Sequence, residues 1–304
     1  MKILKYFFIC FIIVVITSCY EEFANDFDYS TVYFASQNPL RTVVADSNMK
    51  IKVGVAIGGK RTVHKDDWAT FVIDSTLLTG TTFTLMPEDY YIMSNDNKMT
   101  ISNPNLAIAD IEINFTEAFY NDPNAVNKYY AIPFKITDYN LDSIGKSPTG
   151  TLKDYTIVAV KAISKYHGTY YVRGLMVKLN PDGTPGILKT DSTIYYVSDL
   201  SKNLTRDIFT VSRYVIQRPG FANNALNSAE AIKLTILNNG TSVAIQPGGS
   251  SAISDASASL DWLKNQPEFR LQYKFVKSGT TYQVNDTLIR RQNPENDLRF
   301  EEWK

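Results

Sequence analysis

Carboxylates and aromatic rings carry the clearest chemical potential in this sequence. In DIEINFTE, residues 110–117, Asp110, Glu112 and Asn114 fall on one face of an extended segment, and Ile111, Ile113 and Phe115 fall on the other. Glycoside cleavage needs two carboxyl groups about 5 to 9.5 Å apart across a sugar, and the spacing establishes no such pair. The alternation is that of a half-exposed strand. Two tryptophans each follow an acidic residue, Trp68 after Asp67 and Trp262 after Asp261. A sugar site needs a ring to stack on a pyranose C–H face beside an acceptor for its hydroxyls, so these four residues are the ligand-binding candidates. A partly buried structural role for each tryptophan is the alternative. Trp303 is expected to plug the end of the last strand. His64, in KRTVHKDDW, and His167, before Gly168, have no partner nearby in sequence. No Gly-x-Ser-x-Gly elbow, Walker loop or G-x-G-x-x-G segment precedes a helix. NPDGTPG has one acidic residue where a calcium loop needs several. No catalytic residue, metal site or cofactor is expected.

The first thirty residues speak to location. MKILKYFFICFIIVV sets Lys2 and Lys5 before an apolar run of about ten residues, the pattern of a signal peptide and short of the roughly 18 to 20 residues of a spanning helix. Ile16-Thr17-Ser18-Cys19 resembles the bacterial lipobox, which implies cleavage after residue 18 and lipidation of Cys19. Each buried methylene contributes about 0.8 kcal/mol, so two or three acyl chains would fix the chain to a membrane. The acidic residues Glu21, Glu22, Asp26 and Asp28 would be repelled by an anionic lipid surface. They resemble the export signal of Bacteroidetes surface lipoproteins, with a solvated tether as the alternative.

Composition narrows the classes further. With 31 basic and 31 acidic residues, there is no electrostatic footprint for nucleic acid. Of the two cysteines, Cys10 would leave with the signal peptide and Cys19 would be modified, which leaves none for a disulfide or zinc cluster. An exported chain of this kind must rely on its core.

Stepping along the chain, TVYFA, MKIKVGVAI, ATFVIDST, IADIEINF, YYAIPFKIT and DYTIVAVKAI alternate with turn-forming clusters, as in an antiparallel sandwich. Pro123–Lys128 is too short to count as a helix. A second unit opens with YHGTYYVRG and continues through DSTIYYVS, DIFTVSRYVIQ and AIKLTIL. Asn239-Gly240 predicts a hairpin with positive φ at both residues, and a second hairpin turns near Ser278-Gly279. SASLDWLKNQ is the helical candidate, with Ser257 or Ser259 as cap and Pro267 beyond its end.

LMPEDYYIMSNDNKMTIS, with Met86-Pro87 and Tyr90-Tyr91, and the later Ile132-Pro133-Phe134 resemble a family of Bacteroidetes lipoprotein domains known as domain of unknown function 1735, Met86 replacing the usual leucine. The part from GTYYVRG to NDTLIRRQNPENDLRFEEWK resembles the partner family 4361. The resemblance implies an all-β chain: an immunoglobulin-like β-sandwich over 30–163, then an antiparallel lipocalin-like β-barrel or sandwich over 164–304. Residues 1–18 would be the signal peptide and 19–29 a lipidated acidic tether. It also implies a lipid-anchored protein on the outer face of the cell outer membrane. The expected function is non-enzymatic binding of an extracellular glycan beside a sugar importer. A structural or adhesion lipoprotein is the alternative, and a glycoside hydrolase comes third.

Overall fold

The structure is a computed structural model that describes residues 29–59, 64–103 and 105–303. Cys19 and the acidic run Glu21, Glu22, Asp26 and Asp28 lie outside the described residues. No helix among the described residues is long and apolar enough to cross a membrane.

The chain is all-β, a sandwich followed by a nearly closed barrel. In the sandwich a twelve-stranded ladder folds over on itself. One half contains Thr31–Tyr33, Lys50–Gly58 and Ile108–Phe115; the other contains Trp68–Ile73, Tyr130–Tyr139, Tyr155–Ile163 and Pro39–Val44. Side chains alternate across each strand with a period of two. Thus Ile51, Val53, Val55 and Ile57 enter the core while Lys50 and Lys52 face out, and Ile111 and Ile113 do the same against Asp110 and Glu112. Both halves feed one apolar core, where Phe71 and Phe134 meet edge to face at 5.3 Å. The sandwich is not purely antiparallel as expected: Pro39–Val44 runs parallel to Tyr155–Ile163, and Thr31–Tyr33 parallel to Ser143–Ile144.

The barrel is an up-and-down meander. Gly168–Lys178, Leu204–Ser212, Val215–Pro219, Ala231–Leu237 and Ser242–Pro247 pair in sequence on one side; Ile253–Asp261, Glu268–Lys277 and Thr280–Arg290 pair on the other, and Thr280–Arg290 closes onto Gly168–Lys178. The strands Ser242–Pro247 and Ile253–Asp261 come alongside each other without a ladder. Tyr170, Val172, Ile216, Leu234, Phe269, Tyr273 and Leu288 fill the interior, so this region of the barrel is a packed core.

Several local expectations are corrected. SASLDWLKNQ is not a helix: residues up to Asp261 form a strand that pairs along Glu268–Lys277, Leu260 facing Phe269. DIFTVSRYVIQ is two strands, folded back at Arg213 and Tyr214. The loop around Asn239 is a four-residue turn between Leu237 and Ser242, with positive φ at Asn238 and Gly240. Ser278 and Gly279 form the two-residue hairpin with φ of 51° and 76°. A five-residue helix, Glu117–Asn121, and a 3₁₀ turn, Pro123–Val126, interrupt the sandwich.

The last strand of the sandwich's main run ends at Ile163, and the barrel opens at Gly168. The C-terminal segment does not stay with the barrel: Glu301–Glu302 pairs with Pro39 and Leu40. Trp303 then packs against Phe83, at 4.9 Å, and donates its indole N–H to the Ile157 carbonyl at 2.8 Å. Trp303 is a plug, as expected, but for the first domain. The two domains also meet through Arg213, which ion-pairs with Asp46 and Glu117 and donates to Asn121 at 2.9 Å.

Candidate ligand-binding groove on the barrel

Four barrel strands and one short edge strand build an open groove. On Thr280–Arg290, Val284, Asp286 and Leu288 are buried, so Asn285 and Thr287 point outward. On Glu268–Lys277 the buried Phe269, Leu271 and Tyr273 leave Arg270 and Gln272 outside. Register aligns these groups into two rows. One runs Arg173, Thr287, Arg270, Ser259, and the other Ile194, Leu175, Asn285, Gln272, Ser257. At about 4.8 Å per strand, the row from Arg173 to Ser259 spans about 14 Å. Depressions of about 450 Å³ and 340 Å³ share Arg270, Asn285 and Thr287 and so run into one another.

The edge strand Ser192–Tyr195 brings the aromatic component. It pairs with Gly174–Val177, placing Tyr195 opposite Gly174. A Cβ at Gly174 would come within 2.6 Å of both the Tyr195 hydroxyl and Asp286 Oδ1, so glycine is required for the Tyr195 hydroxyl to reach Asp286 and donate to it. With Tyr195 anchored inward, its neighbour Tyr196 stands exposed at the groove, the Arg173 guanidinium 5.0 Å from its ring centre.

Beneath the groove lies a buried polar network. Arg218, fully buried, ion-pairs with Asp286 and donates to the Ala222 carbonyl at 2.6 Å. The Tyr273 hydroxyl donates to Asp286 at 3.0 Å and accepts from the Ala222 N–H at 2.7 Å. Burial lowers the Arg218 guanidinium, but the Asp286 charge more than reverses this and raises it. Burial, reinforced by the same carboxylate, raises both tyrosine hydroxyls. The network keeps Asp286 committed to its partners and fixes the strand that carries Asn285 and Thr287.

The charges in the groove divide unevenly. Glu268 accepts from Lys264 at 2.7 Å and from Arg270 at 2.8 Å. Burial pushes its carboxyl up, but the hydrogen bonds and charges of Lys264 and Arg270 outweigh this and hold it below the ordinary range. Asp261 pairs with Lys264 at 3.6 Å. Arg173 has no acidic partner among the described residues, and its Nε is shielded from solvent without a hydrogen-bond partner.

The residues singled out from sequence are placed differently. Trp262 follows the strand Ile253–Asp261 and packs on Tyr166 at 4.5 Å and Phe269 at 6.0 Å, with the Arg290 guanidinium 4.4 Å from its ring centre. It opens the loop between Ile253–Asp261 and Glu268–Lys277 and is half-buried against the barrel's packed end. Trp68 opens a strand, with Lys98 Nζ 4.4 Å from its ring centre. Asp67 is buried and accepts from the His64 backbone N–H at 3.1 Å. The two tryptophan–aspartate pairs sit on different sheets. Asp110 and Glu112 pair with Lys52 and Lys50, the half-exposed strand expected of DIEINFTE. Among the described residues, no group of three or more His, Cys, Asp or Glu is arranged to hold a metal. The groove residues escaped sequence reasoning because they come from separate strands; the nearest signals are the doublet Tyr195-Tyr196 and the glycine ending YYVRG.

Fold and groove define a two-domain all-β protein with a polar, aromatic-edged sheet face. A family model described as "-like, N-terminal domain" matches residues 27–143. The chain is similar to a solved structural-genomics protein of unknown function from Bacteroides ovatus, with 22% identity, a TM-score of 0.69, and 87% of this chain and 95% of that chain covered. It also aligns with a multidomain protein including DUF1735 from Bacteroides ovatus, with 14% identity, a TM-score of 0.43, and 90% of this chain and 100% of that chain covered. At these identities the likeness of the first structure is one of fold. No curated protein matches the chain.

Proposed function

We propose that the chain is a non-catalytic saccharide-binding lipoprotein, anchored through Cys19 on the outer face of the cell outer membrane and serving glycan uptake beside a sugar importer. One observation carries the binding reading: Thr287, Asn285, Gln272, Ser257 and Ser259 present hydroxyl and amide groups at strand spacing, next to the exposed ring of Tyr196. Such groups exchange hydrogen bonds with sugar hydroxyls while the ring takes a C–H face. The carboxylates close to the groove support binding without turnover: Glu268 and Asp261 are ion-paired at its rim, and Asp286 is buried in its own network. The lipobox and the acidic residues after it support the address.

Affinity electrophoresis against a panel of polysaccharides, followed by calorimetry, tests the binding. Tyr196→Ala should cost about 1 to 3 kcal/mol of affinity, by analogy with base stacking, with circular dichroism confirming the fold. Unchanged affinity would remove the groove, and reducing ends released during incubation would overturn the non-catalytic reading. For the anchor, Cys19→Ala should move the protein from the membrane pellet to the soluble fraction; retention in the pellet would contradict it.

A further inference from the structure

We propose that this groove selects saccharides that carry an anionic group, carboxylate or sulfate, and that Arg173 is the residue that takes the anion. This deepens the saccharide reading and rests on it. Charge is unevenly balanced along the groove. The outward cations Lys264 and Arg270 share Glu268, and Lys264 also reaches Asp261, so each is engaged by an acid of the protein itself. Arg173 is not. Its Nε is withdrawn from water without a partner, and an unsatisfied buried donor is unfavourable.

The same side chain is held in place. Its guanidinium carbon is 5.0 Å from the Tyr196 ring centre, and Tyr196 is fixed in turn by the anchoring of Tyr195 to Asp286. Stacking on a ring pre-organises a guanidinium while its in-plane N–H donors stay free, the geometry that receives a carboxylate or sulfate in a bidentate fashion. A neutral sugar would leave that charge uncompensated. An anionic one would supply the partner that Arg173 lacks among the described residues, with the neighbouring Thr287, Asn285 and Gln272 left for the ring hydroxyls.

Matched polymers that differ only in charge give the test. The purified chain is run in affinity gels against dextran sulfate beside dextran, polygalacturonate beside its methyl ester, and polyglutamate as a polyanion without sugar. The expected result is that one charged polysaccharide retards the chain at least tenfold more strongly than its neutral counterpart and more than polyglutamate. Arg173→Gln should weaken that binding about tenfold to a hundredfold, the range for a charged hydrogen bond, while Arg173→Lys should recover part of it. Carboxylate and sulfate sources are separated by which pair responds. Equal retardation by charged and neutral polymers, unaffected by Arg173→Gln, would overturn the anionic selectivity and keep the saccharide reading. Equal retardation by polyglutamate would reduce the effect to bulk charge and overturn the proposal. No retardation by any polysaccharide would overturn both readings together.

Discussion

The two domains place their ion pairs differently. In the sandwich the core is apolar and the ion pairs on the outside link neighbouring strands: Lys50 with Glu112, Lys52 with Asp110, Lys135 with Asp74. In the barrel an ion pair, Arg218 with Asp286, lies inside, while on the outer face Arg173 has no acidic partner among the described residues. A surface with an unmatched cation, ordered by a network beneath it, has both specificity and free donors. The proposed ligand recognition rests on this arrangement in the barrel.

The largest expected effect comes from breaking the inner pair. Asp286→Ala would strand the Arg218 charge in the barrel core and should destabilise the protein by about 3 to 5 kcal/mol. Replacing both partners, Asp286→Leu with Arg218→Met, should recover most of that loss in a denaturant titration. A single-mutant loss below about 1 kcal/mol would mean that the interior is not the dry site its burial describes. Arg213→Ala should cost less, about 1 to 2 kcal/mol, because Arg213 and Asp46 are mostly buried but Glu117 is largely exposed and screened. Its sharper readout is limited proteolysis: cleavage between Ile163 and Gly168 should accelerate, and an unchanged rate would show that Arg213 does not hold the domains together. At the small end, Lys50→Ala on the sandwich face should change stability by under about 0.5 kcal/mol, since Lys50 is half exposed. A loss above about 1 kcal/mol would erase the distinction between the two faces.

Much of the fold was legible because strands write their faces at alternate positions. KIKVGVAIG and IADIEINF show their buried sides directly in the sequence. Reading failed where tertiary pairing overrode local preference. Ser257, Ala258, Ser259 and Leu260 lack β-branched side chains and read as helix, yet the ladder with Glu268–Lys277 makes them a strand. Arg213 and Tyr214 form a turn without glycine, proline or asparagine to announce it. The groove was less legible still. Arg173, Tyr196, Arg270 and Asn285 lie on separate segments, and only the register of the barrel places them in one surface. Trp262 and Trp303 put their rings into internal packing, the structural role weighed for the first and expected for the second.

The return of the final residues to the sandwich has a consequence for timing. Trp303 and Ile157 are 146 positions apart in the chain and joined by a hydrogen bond, and Glu301–Glu302 completes the edge beside Pro39 and Leu40. The half made first cannot be finished until the barrel has emerged and delivered its tail. During synthesis, then, the sandwich waits with one edge open, and the closing of that edge reports that everything between residues 40 and 301 has arrived.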